Sequence, residues 1–318
     1  MLRAPRPTDL VGLTRFLRNT ATTEITGHTW PKIQPESGHL PLSEMVWQAV
    51  GAAPTRGRAW IAFEDEGIAA VAVARARSSG LVWDVEHLHV TDGMDGSARE
   101  LLDHVSGVAV EAGARRVFIE TPSGARGADV ARRAGFERYT GQDVYRIDPP
   151  VKILPSEMLD GRPRLRADET GLFHLYGAAV PPNVRLAEAM TADEWAALHR
   201  GRKRWAPTII GDRHQYVWEL GTGIAGWLEV VYGQKSQCLD LLIDPKYETM
   251  IDRFVSYALQ QVSPKAPVFA AVREYQAGLG PGLERVGFRV TGQYDIYVRQ
   301  LTARVLEPKM MPAGILGG

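Results

Sequence analysis

Hydrophobic positions along the first half of the chain change period several times, and each change marks an element. In "DLVGLTRFLRNT" (Asp9 to Thr20), Leu10, Leu13, Phe16 and Leu17 fall on one face of a 3.6-residue period, which predicts a helix. "RAWIAFEDEGIAAVAVARAR" (Arg58 to Arg77) reads as two strands around a turn at Asp65-Glu66-Gly67. "LVWDVEHLHV" (Leu81 to Val90) alternates as a strand does, with Leu88 and Val90 on one face. "SARELLDHVSGVAVEAG" is an amphipathic helix starting near Ser97 and ending at Gly113. A short buried strand, "RRVFIET", a helix stopping at Gly135 and a last strand, "DVYRI", follow. The order α, β-β-β, α-β-α-β predicts a mixed central sheet with helices on both faces.

The order occurs twice. "ARRAGFERYTGQDVYRI" (Ala131 to Ile147) is echoed by "LERVGFRVTGQYDIYVR" (Leu283 to Arg299), with Gly135-Phe136 matching Gly287-Phe288 at an offset of 152. Upstream, "RVFIETP" parallels "PVFAAVR", "EGIAAVAVA" parallels "TGIAGWLEV", and "MLRA" parallels "RLRA", in the same order. Two copies of one domain of about 150 residues account for this. The Pro-rich join "DPPVKILPSE" (Asp148 to Glu157) separates residues 1–150 from residues 151–305. Residues 306–318 form a tail without clear periodicity.

Composition narrows the class without naming a function. In 318 residues there are 37 basic and 37 acidic side chains, so no broad field draws the chain to nucleic acid or membrane. Cys238 is the single cysteine, which excludes an intrachain disulfide and a cysteine-rich zinc site. The polar start "MLRAPRPTDL" and the lack of a long apolar run lead us to expect a cytoplasmic protein.

The stretch "VTDGMDGSARELL" (Val90 to Leu102) carries the candidate chemistry. A glycine-bearing loop running from a strand into a helix start offers free N–H groups and a partial positive charge to a phosphate. "VEHLHV" followed by Gly96-x-Ala98-x-x-Leu101, and the later Gly135-Phe136, resemble the GNAT N-acetyltransferase superfamily, across nearly all of both copies. The resemblance implies an α/β (α+β) fold of two tandem GNAT-like domains. Mycothiol synthase is one known tandem case. It implies that acetyl-coenzyme A binds the N-terminal domain through Leu88, His89, Val90, Gly93, Gly96, Ser97, Ala98, Arg99 and Ser123, with the pantetheine arm against the edge of a bulged strand. It places a carboxylate base at Asp84, Glu86 or Glu120, the first two on one strand face. Ser123 stands where the family often has Asn, and it is equally suited to capping the next helix or closing a turn.

The sequence also departs from that pattern. The loop is about two residues short; Gly93 takes the Gln/Arg position; Asp92 and Asp95 repel a pyrophosphate, with Arg99 as a partial offset. Ala131 occupies the position of the family's tyrosine acid. The second copy's equivalent, "IDPKYETMIDRFV" (Ile243 to Val255), has no glycine, and its tyrosine position is Leu283, so no coenzyme is expected there.

His87 and His89 form a His-x-His without a third ligand at useful spacing, so no metal is assigned. They read instead as covered by a packing helix or lining the acceptor cleft. The basic cluster "HRGRKRWAP" (His199 to Pro207) reads as a solvated helix end rather than a nucleic-acid site. The segment Thr22 to Leu40, with Glu24, His28 and Trp30, is expected to wall the acceptor. These readings converge on an acyltransferase acting on a small-molecule or peptide amine. The rival is a non-catalytic ligand-binding or protein-interaction scaffold that has lost the coenzyme. The two copies are expected to pack sheet edge to sheet edge as an intrachain pseudo-dimer, with homodimerisation open.

Overall fold

A computed structural model describes residues 1–19, 25–26, 57–64, 67–77, 80–151, 160–188, 191–193, 195, 212–221, 223–233 and 235–301. The first half runs β1 (Leu2–Arg3), α1 (Leu10–Asn19), β2 (Ile25–Thr26), β3 (Gly57–Glu64), β4 (Gly67–Ala76), β5 (Val82–Val90), α2 (Asp95–Glu111), β6 (Arg116–Pro122), α3 (Arg126–Arg133) and β7 (Glu137–Ile147). The second runs β8 (Gly161–Pro163), α4 (Glu169–Ala179), α5 (Pro182–Glu188), β9 (Arg213–Leu220), β10 (Gly223–Tyr232), β11 (Gln237–Ile243), α6 (Ile251–Gln260), β12 (Val268–Arg273), α7 (Leu279–Arg285) and β13 (Arg289–Gln300). The two halves repeat one order, so the chain is a mixed α/β protein with two tandem units, each a mixed sheet flanked by helices.

Alternation explains the layering. Trp83, Val85, Leu88 and Val90 of β5 meet Ala98, Leu101, Leu102, Val105 and Ala109 of α2 in one core. Each such fully buried large apolar side chain contributes roughly 1.5–3 kcal/mol. The opposite face is covered at one end by Leu13 and Phe16 of α1, packed on Ile61, Val71 and Val73. Nearer the middle of the molecule, Ala187 of α5 covers Val82, Phe118 and Val298. In the second half, α6 and α7 fill one face with Phe254, Val255 and Leu283. Leu172, Leu175 and Tyr176 of α4 cover the other.

The halves do more than meet at an edge. All thirteen strands of the described residues form one sheet, in the order β1-β3-β4-β5-β2-β6-β13-β7-β12-β11-β10-β9-β8. The last strand of each half adds to the sheet of the other. β13 runs antiparallel to β6, with Ile296 opposite Glu120, and β7 runs antiparallel to β12, with Gln142 opposite Arg273. β13 and β7 also pair with each other. Among the described residues, no helix is long and apolar enough to cross a membrane.

Candidate functional site

The site is built around a divergence of β5 and β6. These strands pair in parallel at Val82–Arg116, Trp83–Val117 and Asp84–Phe118, and no further. The cause lies on β5. Against β4, His87 is opposite Val73 and Val85 is opposite Ala74, so Glu86 is an extra residue. Such a bulge bends a strand and increases its twist. It also reverses the alternation, so that Val85 and Leu88 both face α2 while Glu86 and His87 both lie on the other face. Beyond the bulge, the edge of β5 needs new partners for its backbone N–H and C=O groups. β2 supplies them: Ile25 is opposite Leu88, and Thr26 is opposite both His87 and Glu120. Two residues of the chain therefore stand as a strand in the opening.

The phosphate-loop end is different. α2 begins at Asp95, two residues earlier than the periodicity predicts, because the Met94 N–H donates to the Thr91 carbonyl at 3.1 Å and tightens the turn. Gly93 has φ +82°, a conformation that favours glycine. Gly96 is different: it is exposed, and a Cβ built there would meet no atom within 4 Å. No side chain caps the α2 N-terminus. Asp95 sits in the first turn, where the helix dipole stabilises a negative charge. Arg126 of α3, which the sequence reading did not single out, bonds Asp95, Asp92 at 3.1 Å and the Thr91 carbonyl at 3.2 Å. The acidic residues of the loop are thus neutralised from a neighbouring helix. Arg99, expected to do this, is largely exposed and lies 3.8 Å from Asp103.

The other residues assigned to the coenzyme divide by orientation. Leu88, Val90 and Ala98 turn their side chains into the core, so only their backbone is available. Ser97 is buried, and its hydroxyl donates to Glu64 at 2.5 Å. His89 is buried on the face away from α2, its ring stacked on that of His87 with centroids 6.3 Å apart. Ser123 is exposed; its N–H donates to the Gln293 carbonyl of β13 at 2.9 Å. It does not cap α3, whose N-cap position is Ala125.

Asp84, Glu86 and Glu120 do share one face, and their surroundings separate them. Asp84 accepts both bonds of a bidentate pair from Arg77, at 2.8 and 2.7 Å, and that guanidinium lies 4.7 Å from the centre of the Phe118 ring. Glu86 accepts from Arg75 Nε at 3.0 Å. The pair with Arg77 engages both oxygens of Asp84, and the bond from Arg75 engages one oxygen of Glu86. Glu120 accepts from the amide of Gln142 at 3.3 Å, and burial pushes its pKa up to about 7, with Arg273 opposing and Asp84 reinforcing the rise. A carboxyl that titrates near neutrality is matched to proton transfer.

The second half contributes part of this face. Glu188 of α5 accepts from the hydroxyls of Tyr176, at 2.7 Å, and Tyr139, at 3.5 Å. Burial raises the pKa of both phenols, so they remain neutral donors. Arg273 lies opposite Gln142, and Tyr294 opposite both Gln142 and Pro122. Arg273 and Tyr294 were not legible as site residues, because they come near Glu120 only through the strand exchange.

In the second half the corresponding strands, β11 and β12, pair only from Gln237–Val268 to Leu239–Ala270. There the side chain of Gln276 closes the divergence, donating to the Leu241 carbonyl at 2.7 Å and accepting from the Arg273 N–H at 2.9 Å. Cys238 is buried, which pushes its thiol up to about 12. Among the described residues, no group of three or more His, Cys, Asp or Glu is placed to hold a metal. Of the segment expected to wall the acceptor, only Ile25 and Thr26 are described; Glu24, His28 and Trp30, the stretch from His199 to Pro207 and the tail lie outside the described residues.

Neither any protein-family profile nor any curated protein matches the chain. Solved structures do. A GCN5-related N-acetyltransferase from Sphaerobacter thermophilus aligns over 95% of both chains, with a TM-score of 0.54 and 15% identity. A tandem GNAT protein from the clavulanic acid biosynthesis pathway aligns over 95% of this chain and 98% of its own, with a TM-score of 0.50 and 14% identity. A functionally unknown conserved protein from Staphylococcus epidermidis aligns over 70% of this chain and 85% of its own, with a TM-score of 0.51 and 11% identity. The chain has the tandem GNAT fold.

Proposed function

We propose that this tandem GNAT fold works as an acetyl-coenzyme A-dependent N-acetyltransferase, with one site, in the N-terminal half. The observation that carries the reading is the uncapped start of α2 beside open space at Gly96, immediately after a bulged strand. A pyrophosphate there would meet backbone N–H groups and the positive end of a 17-residue helix. The pantetheine arm would run along β5 past Leu88 and bring the thioester toward Glu120. Glu120 would take the proton of the acceptor ammonium. The amine nitrogen then attacks the thioester carbonyl; a C–N bond forms, the C–S bond breaks, and the thiolate takes its proton from water or from the product ammonium. Ala131 offers no acid for that last step. The acceptor is a small-molecule or peptide amine.

A second reading, a scaffold that no longer uses the coenzyme, is favoured by one observation: β2 stands in the opening between β5 and β6. Calorimetric titration with acetyl-coenzyme A separates the two. Micromolar binding that Gly96→Glu abolishes, with thiol release in the presence of an amine panel, supports the enzyme. No binding and no thiol release supports the scaffold.

A further inference from the structure

We infer that β2 is an intramolecular competitor of the coenzyme, so that the N-terminal site is held closed by its own chain until the pantetheine arm displaces Ile25–Thr26. The inference rests on the proposed acetyl-coenzyme A reading. Three features carry it. The bulge at Glu86 separates β5 from β6 beyond Asp84 and leaves an edge in need of partners. β2 pairs with both sides of the opening, through Leu88 and His87 on β5 and Glu120 on β6. The described strand is two residues long, whereas its neighbours β5 and β6 have nine and seven. The backbone bonds of the described pairing are each of modest net strength, so the closure is reversible.

The pantetheine arm carries amides and can form strand-like bonds with the same edge. The two cannot occupy it together. The nucleotide end of the coenzyme would reach only the start of α2, past the C-terminal end of β5 and beyond the residues that pair with β2, where Gly96 opens on free space. The structure thus separates a docking end that is open from a reactive end that is occupied. Binding is then predicted in two stages: the nucleotide docks first, and exchange of β2 for the pantetheine arm follows. The apparent affinity for the whole coenzyme is lowered by the fraction of molecules in which β2 is seated.

Titration of wild type and Thr26→Pro with acetyl-coenzyme A and with the fragment adenosine 3′-phosphate 5′-diphosphate (the nucleotide end alone) tests this. Proline removes the Thr26 N–H and disfavours the pairing. Acetyl-coenzyme A should bind the variant about tenfold to a hundredfold more tightly than wild type, while the fragment binds both alike. Equal affinity of acetyl-coenzyme A for the two proteins overturns the inference and leaves the enzymatic reading standing. If neither ligand binds either protein, the enzymatic reading fails and the inference fails with it. Hydrogen exchange of the wild type provides a second readout that needs no variant. Saturating acetyl-coenzyme A should release the Thr26 amide to exchange and the fragment should not; continued protection under acetyl-coenzyme A counts against the inference.

Discussion

At the residue scale, Glu120 is distinguished by its environment more than by its type. Three carboxylates share the face opposite α2, but Arg77 holds Asp84 and Arg75 holds Glu86. Glu120 is buried and titrates near 7. Its folded value lies above its ordinary carboxyl value, so between about 4.5 and 7 the folded state keeps a proton that the unfolded chain has lost. Stability therefore falls as pH rises through that window. Glu120→Gln should remove this slope and gain on wild type by up to about 3 kcal/mol between pH 5 and 8, read by urea denaturation at each pH. If Glu120 is the base, the same variant should lose about a hundredfold or more in kcat/KM, together with the rising limb of the wild-type profile near pH 7. A purely structural Glu120 would show the stability change with the rate intact. The sequence marked all three carboxylates because strand position is local. It could not rank them, since Arg77, Gln142 and Arg273 are brought in by pairing across strands.

At the element scale, hydrophobic periodicity and glycine punctuation located β3 to β7 and the helices between them, since both signals act within a few residues. The start of α2 and the seating of β2 were not legible. The first depends on the Met94–Thr91 turn, and the second on a two-residue pairing too short to leave a pattern. The acidic loop read as repulsive because its neutralising partner, Arg126, is 31 residues from Asp95. Arg126 is partly exposed, so its ion pairs add little stability, about 1 kcal/mol or less. Its effect on a phosphate should be larger. Arg126→Ala is expected to weaken acetyl-coenzyme A binding about tenfold at low salt, and less as salt rises, with the melting temperature nearly unchanged. Titration at two ionic strengths beside a thermal melt checks both halves of that statement.

At the scale of the whole molecule, the repeat was visible but its interlocking was not. β7 and β13 follow matching Gly-Phe pairs and have similar patterns, so the sequence does not say which sheet each completes. The structure crosses them. Unfolding should then be one event: Trp60 and Trp83 report on the first half, Trp218 and Trp227 on the second, and all four are buried. Variants retaining only one of these tryptophan pairs should give the same urea midpoint as each other and as far-UV circular dichroism. Two separated midpoints would mean that the halves are energetically independent despite the shared strands.

The crossing also sets a timetable for synthesis. β6 and β7 are translated early, but the strand that lies between them ends at Gln300 of a 318-residue chain. On the ribosome, the N-terminal half must wait on the order of ten seconds with unsatisfied sheet edges while the remainder is made. A nascent chain in that condition is a natural client for chaperones, and a second nascent copy could lend its own closing strand to the wrong molecule.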